Sequence, residues 1–263
     1  MKRILITGAT DGLGARAAHM LAEQGHHLIL HGRDQAKLDH IRSALPDKGA
    51  LSVICCDLSS LSQTASMADE ISRSSPEIDV LINNAGVLAA PAHKTKEGLE
   101  LRFVVNCLAP YLLTLKLLPC LPSQGRVVNL SSAAQRPLVA TELGQFAEYT
   151  DMEAYAKSKL AITSWTRQLA KAHDDKVFVS VNPASLLGTK MVKEGFGIDG
   201  HDITTGADII CRAAISDEFS SANGLYYDND AKSFGPPHEA ALDDALGQDI
   251  ITEMRRILAD YIA

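Results

Sequence analysis

The chain reads as an α/β fold: a doubly wound parallel sheet of about seven strands with helices on both faces. Three observations carry that reading. Short apolar runs alternate with segments of helical length, the runs are continuously apolar rather than alternating, and a glycine-rich turn joins the first run to the first helix. Continuous apolar runs suit strands covered on both faces, and strand–helix alternation argues for right-handed crossovers. In order, the strands fall at 3–6, 27–31, 51–56, 80–82, 126–130, 177–181 and 224–227. The helices between them fall at 15–24, 35–45, 61–74, 99–118, 153–173 and 205–215, each long enough and patterned for an apolar stripe. No repeat, low-complexity tract or linker divides the 263 residues, so one domain over 1–263 is expected. Its tail, 232–263, begins polar and turn-rich and ends in a helix from 249, with Ile250, Met254, Ile257, Leu258 and Tyr261 on one face. Gly195, Gly197 and Gly200 make 191–203 read as a mobile substrate lid.

Composition narrows the partners. The chain is 46% hydrophobic and 22% charged, with a formal net charge of −7 and no basic block, so neither nucleic acid nor an anionic membrane is expected as a partner. No apolar run is read as reaching the roughly 20 residues that span a bilayer. Met1-Lys2-Arg3 leads straight into the first strand, and no signal peptide is expected. The five cysteines show neither zinc nor disulfide spacing, which suits a reducing compartment and a cytoplasmic location. His26, His27 and His31 lack an acid or thiol partner at ligand spacing, so no metal is expected.

Gly8, Gly12 and Gly14, with Thr10, Asp11 and Leu13 between them, follow the first strand and open the first helix. Glycine is needed where backbone must turn tightly or approach a diphosphate, and a helix N-terminus offers free N–H groups and positive potential. The spacing is G-x-x-x-G-x-G rather than the common G-x-G-x-x-G. At the end of the second strand, Gly32 leaves room and Arg33 can pair with a phosphate, which favours NADP over NAD. Asp34 and Asp11 argue the other way and keep NAD as the second choice, although Asp34 also suits the N-cap of the next helix.

Tyr155 and Lys159 stand four residues apart in a helical segment, on one face. An ammonium beside a phenol is expected to lower a pKa that starts near ~10 and bring proton transfer toward neutral pH. Tyr149 is a weaker candidate because Glu153 fills its i+4 position, and Lys157 points to another face.

Taken in order, residues 7–14, Asp57-Leu58, 83–86, Asn106, Ser131-Ser132, 155–159, and Asn182-Pro183 with Thr189 resemble the short-chain dehydrogenase/reductase family over nearly the whole chain. The branch with a longer Ser–Tyr spacing, similar to retinol dehydrogenases and related bacterial reductases, fits best. The resemblance implies a Rossmann-like fold and hydride movement between NAD(P) and a small-molecule alcohol or carbonyl. It makes Tyr155 the general acid/base, Lys159 its partner and a ligand of the nicotinamide ribose, and Ser132 the donor to the substrate oxygen, with Ser131 as the alternative. Asn106 would hold a water linking Lys159 to solvent, or else be a plain helix residue. Asp57 and Leu58 would contact adenine, Asn83, Ala85 and Gly86 the cofactor ribose, and Pro183 and Thr189 the carboxamide or phosphate side.

A homodimer or homotetramer is implied through segments 99–118 and 153–173, with Leu112, Leu115, Trp165 and Leu169 contributing unless they are core. Ser132 and Tyr155 lie 23 positions apart, longer than usual in that family, and the extra residues, 140–153, are expected to shape the substrate mouth. Ala184 stands where the family usually has glycine. Phe146, Phe196, Leu186, Leu187 and Met191 suggest an apolar substrate side. Two rival readings remain open: an NADP-binding redox sensor without turnover, and an isomerase, epimerase or dehydratase on the same scaffold.

Overall fold

The computed structural model describes residues 1–75 and 77–262. Its centre is one sheet of eight strands in the order β3-β2-β1-β4-β5-β6-β7-β8. The strands are β1 (Arg3–Ile6), β2 (His27–Gly32), β3 (Leu51–Cys55), β4 (Val80–Asn83), β5 (Arg126–Leu130), β6 (Val177–Asn182), β7 (Tyr226–Asp228) and β8 (Ser233–Gly235). The first seven run parallel and β8 closes the edge antiparallel to β7. The chain reverses its direction of strand addition between β3 and β4, so β1 and β4 flank the switch point, where such sheets open a crevice at their carboxyl ends.

Two apolar layers cover the sheet. On one face lie α1 (Gly12–Glu23), α2 (Gln35–Ala44) and, later in the chain, Ile203–Ile215. The other face carries α3 (Leu61–Ser74), α4 (Leu101–Phe103), α5 (Ala109–Leu117), α6 (Asp151–Ala172), and the C-terminal Asp244–Ile257. The order of the remaining helices is α7 (Lys190–Phe196), α8 (Ile203–Ile215), α9 (Asp244–Ile257) and α10 (Ala259–Ile262). Capping sets several boundaries. Asp11 accepts the Gly12 N–H at 2.8 Å and starts α1 three residues ahead of the expected residue 15, while Asp34 caps α2 through the Lys37 N–H at 3.1 Å.

Several expectations are corrected. Segment 99–118 is not one regular helix: α4 and α5 are joined by a π-helical turn, Val104–Leu108. The continuous element Leu101–Cys120 is long and apolar enough to cross a bilayer, contrary to the reading that no run reaches that length, but most of it is buried inside the fold. Segment 191–203 holds a real helix, α7, capped by Thr189 and ended by Gly197. The tail is more ordered than its composition suggests, with β8, a 3₁₀ turn at Glu239–Leu242, and α9 beginning at Asp244 behind the cap Asp243.

Leu112, Trp165 and Leu169 are core within the single chain. Every residue of α6 from Ala156 to Thr166 is buried, and α9 packs along that helix. The 3₁₀ turn Ala140–Gly144 lies against α9 rather than at the cleft. Glu142 pins it there, accepting from the Tyr149 hydroxyl at 2.7 Å and from the Lys157 Nζ at 2.5 Å. Of the long Ser–Tyr insertion only Met152, with Ala133 and Ala134 just after Ser132, reaches the cleft wall.

Candidate active site

A cleft of about 200 Å³ opens at the carboxyl ends of the central strands. Its polar side brings together Ser132, Tyr155 and Lys159, with Asn84 beside them. Its other walls are Leu13 and Gly86 on the cofactor side, Pro183 and Thr189 after β6, and apolar Leu88, Met152, Leu186, Leu187, Met191 and Phe196. Phe146 is not part of this wall; Lys94 lies over its ring at 5.0 Å.

Ser132 sits two residues beyond β5, where its carbonyl accepts from the Tyr226 hydroxyl at 3.1 Å and from Gln135 at 3.0 Å. Those bonds fix the backbone, and the Ser132 Oγ, which accepts the Ala134 N–H at 3.1 Å, borders the same cleft as Tyr155. Ser131 also borders the cleft, but its hydroxyl is buried against α6, 2.6 Å from Thr163 Oγ1 and 3.3 Å from the Lys159 carbonyl, which leaves the Ser132 hydroxyl as the one free of α6.

Lys159 Nζ lies 5.5 Å from the centre of the Tyr155 ring and donates to the Leu130 carbonyl at 2.6 Å. The expected lowering of the phenol pKa does not occur in this arrangement. Burial raises Tyr155 above its ordinary value, the Ser132 hydrogen bond opposing it, because the cleft desolvates the phenolate. Burial acts on Lys159 in the opposite sense and lowers its pKa to about 8. The phenol is therefore protonated at neutral pH, and the ammonium titrates only about one unit above it.

Asn106 occupies the π-helical turn and is buried. Its Oδ1 accepts the Val87 N–H at 2.8 Å, while Nδ2 donates to the Val87 carbonyl at 2.9 Å and to Ser158 Oγ at 3.0 Å. The side chain is thus committed to bracing the segment after β4 against α6. π-turns of this kind are frequent at functional sites because the extra residue re-aims a side chain.

The glycine loop meets β4's exit directly. A Cβ on Gly14 would stand 2.3 Å from the Gly8 carbonyl oxygen, so only glycine lets α1 approach the loop this closely. Thr7 Oγ1 accepts the N–H groups of Asn84 and Ala85, both at 3.0 Å, and Asn84 Nδ2 donates to the carbonyls of Thr7 (2.8 Å) and Gly8 (3.2 Å). Gly12 faces Thr189 across the cleft entrance, with 3.7 Å between its would-be Cβ and Thr189 Cγ2. Thr10 packs on Gly32, where a Cβ would come within 2.5 Å of the Thr10 methyl. Gly32 is therefore a close-packing glycine, not one that leaves room.

Arg33 is exposed, with no hydrogen bond or ion pair among the described residues. Both carboxylates that argued against a phosphate here are engaged: Asp34 caps α2, and Asp11 caps α1 and lies 3.7 Å from Lys37. Asp57 is exposed at the end of β3 and accepts the Ser59 N–H at 2.9 Å, whereas Leu58 is buried in the core, turned inward. Asn83 is also turned inward. Its Nδ2 donates to Asn129 at 2.8 Å and Thr114 at 3.2 Å in a buried ladder across β4 and β5, so it cannot line a ribose with its side chain.

His31 escaped the sequence reading as anything but a rejected metal ligand. Its Nδ1 accepts the Gly8 N–H at 3.2 Å, and Nε2 lies 3.0 Å from the Cys56 carbonyl. Burial lowers its pKa to about 4, so it is neutral with Nε2 carrying the proton. It ties the glycine loop to the end of β3. Its place at the end of a strand, one residue before Gly32, was the available signal. Among the described residues no cluster of metal-ligating groups occurs.

Residues 2–196 match the family model described as short chain dehydrogenase. The chain belongs to the short-chain dehydrogenase family. Its relatives include the short-chain dehydrogenase chry4 of Gibberella zeae, 30% identical over 250 residues that make up 92% of each chain. Human polyprenol dehydrogenase is 32% identical over 206 residues, 73% of this chain and 62% of that protein. Among solved structures, an uncharacterized protein from Mycobacterium paratuberculosis superposes with a TM-score of 0.82 at 26% identity, covering 98% of this chain and 94% of that one. A short-chain dehydrogenase from Burkholderia cenocepacia in complex with NADP shares the fold, with a TM-score of 0.67 at 23% identity over 86% of this chain and 95% of that one. The match carries with it the fold and oxidoreductase chemistry with a nicotinamide cofactor.

Proposed function

We propose that the protein is an NADP(H)-dependent carbonyl reductase or alcohol dehydrogenase acting on an apolar substrate, with Tyr155 as its proton donor and acceptor. The observation that carries this is the convergence of Ser132, Tyr155 and Lys159 on one cleft whose opposite wall is the glycine-loop side, Leu13 and Gly86, with Thr189.

The residues present fit a dinucleotide. A helix N-terminus opens at Gly12 behind a loop that Gly14 allows to pack tightly, and an unpaired guanidinium waits at Arg33. When bound, the nicotinamide supplies or takes the hydride. The chain does the rest. Lys159 and Thr189 would hold the nicotinamide end, beside Gly86 on the same cleft wall. Ser132 donates to the substrate oxygen as charge develops on it. Tyr155, kept protonated by burial, transfers its proton to that oxygen in reduction and recovers it in oxidation.

Leu186, Phe196 and Met152 are exposed yet line the cleft, which favours an apolar, extended substrate, as the name of the polyprenol relative also suggests. Closure of 191–203 over it, a single domain with a C-terminal brace, and a cytoplasmic location consistent with five free thiols belong to the same reading. A dimer or tetramer, which the family makes usual, would form through surfaces other than the buried Leu112, Trp165 and Leu169.

The test is NADPH and NADH consumption against aldehydes and ketones of increasing chain length, with Tyr155→Phe as control. Turnover with NADPH that rises with chain length and drops about 10²–10⁴-fold in the variant, cofactor binding retained, is expected. Equal turnover in Tyr155→Phe would overturn the assignment. Cofactor that copurifies and undergoes no net change would favour an isomerase.

A further inference from the structure

Asn182 ends β6, and residues 183–186 run from it along the cleft. Two of these hold φ values that side-chain-bearing residues rarely adopt, +106° at Ala184 and +51° at Leu186. Such backbone persists only where its surroundings over-determine it. Here each residue is held from outside the run. Asn229 Nδ2 donates to the Pro183 carbonyl at 2.9 Å. Asn182 Oδ1 accepts the Ala184 N–H at 3.4 Å, and the Leu186 carbonyl accepts the His201 N–H at 2.7 Å. Asp230 accepts from both the N–H (2.8 Å) and the hydroxyl (2.6 Å) of Ser185. It also takes a bond from Asn182 Nδ2 at 3.0 Å, while Asp228 takes the other amide hydrogen at 2.8 Å.

The turn between β7 and β8 is therefore a clamp on the loop after β6. We propose that Asp230, seconded by Asn229, is a positioning residue for the nicotinamide end of the cleft, holding Ser185 so that Ala184 keeps its positive φ. The chain carries alanine where the family usually has glycine, and the clamp compensates for the conformational freedom that alanine lacks. The bonds to Ser185 involve an ionised acceptor and are the strong ones of the set. The inference rests on the cofactor reading for its consequence, but not for its mechanics.

Two measurements on the full chain separate them. Amide hydrogen exchange at Ser185 needs no cofactor and should accelerate in Asp230→Ala. NADPH titration by fluorescence should show Kd rising about tenfold in Asp230→Ala, or about 1.4 kcal/mol. The same substitution made in an Ala184→Gly background should cost threefold or less, because glycine takes the positive φ unaided. Asp230→Asn, which keeps an acceptor for the Ser185 N–H but loses the charge and the oxygen that accepts from Ser185 Oγ and Asn182 Nδ2, should fall between wild type and Asp230→Ala. Unchanged Ser185 exchange, unchanged Kd, or an equal loss in both backgrounds would each overturn the clamp. A wild-type protein that binds neither nucleotide would overturn the cofactor reading, and Ser185 exchange would still decide the clamp.

Discussion

Arg102 is wholly buried beside an equally buried Glu100, and replacing it with methionine tests how the segment after β4 is held. Its Nε donates to Glu100 Oε1 at 2.7 Å, Nη2 adds a second bond to the same oxygen, and Nη1 reaches Asp151 at the start of α6. Glu100 Oε2 meanwhile accepts the N–H groups of Arg102 (2.7 Å) and Phe103 (3.2 Å), capping α4. Methionine fills much of the volume but leaves a carboxylate with no countercharge in a dry site. Removing one partner of a buried pair costs about 3–5 kcal/mol. With an unfolding entropy of about 2.1 cal/mol/K per residue, a 263-residue chain has about 0.55 kcal/mol/K, so the midpoint should fall by about 5–9 °C. Differential scanning calorimetry measures this directly. Adding Glu100→Gln to Arg102→Met should recover part of the loss, since the uncompensated charge is gone while the capping acceptor remains. Asp151→Asn, at a site 40% exposed, should cost under about 1 kcal/mol. A fall below about 2 °C in Arg102→Met, or no recovery in the double variant, would refute the argument that a desolvated charge dominates here.

Two further predictions concern the site. Arg33→Ala should raise the Kd for NADPH about tenfold, leave that for NADH within about twofold, and lose most of its effect at 1 M salt because the guanidinium is exposed. An equal loss for both nucleotides would remove the phosphate role. Lys159 predicts opposite pH trends for activity and stability. Its folded pKa of about 8 lies below the ordinary 10.5, so between those values the unfolded chain holds more protons and this group's contribution to stability rises with pH. Over the same interval kcat/KM, which needs the ammonium, should fall. The gap in thermal midpoint between wild type and Lys159→Met should shift in favour of wild type from pH 8 to 10.5, and a flat kcat/KM profile through pH 8–9 would count against the assignment.

Much of the sheet was legible because its strands are continuous apolar runs with sharp ends. β1 and β5 fall where the runs do, and α3 begins where Ser60 can cap it. β8 was not legible: three residues, Ser233–Gly235, with only Phe234 inward, make no pattern. α9 was read five residues short because Asp243 and Asp244 look like turn formers until a helix follows them. The meeting of Ser132, Tyr155 and Lys159 at one cleft was legible from spacing plus resemblance, since Tyr155 and Lys159 lie on one helix face and Ser132 just beyond a strand end. The sense of their pKa shifts was not, because desolvation depends on how deep the cleft buries them and no spacing encodes depth.

What the sequence hid most completely is how the strand-end loops are fastened to one another. Thr7, His31, Asn84 and Asp230 each use side-chain atoms to bind the backbone of a neighbouring strand's loop, Asn106 does so from the π-helical turn, and Asn182 binds the loop after its own strand. Parallel strands end at the same edge, and their exit loops have no ladder partners, so each loop's N–H and C=O groups need partners from the side. Small polar side chains placed just past each strand provide them and in doing so fix the cleft's shape before any ligand arrives. Such residues carry no periodicity and no charge pattern; to a reading that looks for cores and catalysts they are turn formers. They are also the residues whose loss should damage binding geometry more than stability, because the loops they fasten contribute little to either apolar layer of the core. A cleft built this way owes the shape of its loop walls to hydrogen bonds between loops, and its tolerance to change is set as much by them as by α6, which carries Tyr155 and Lys159.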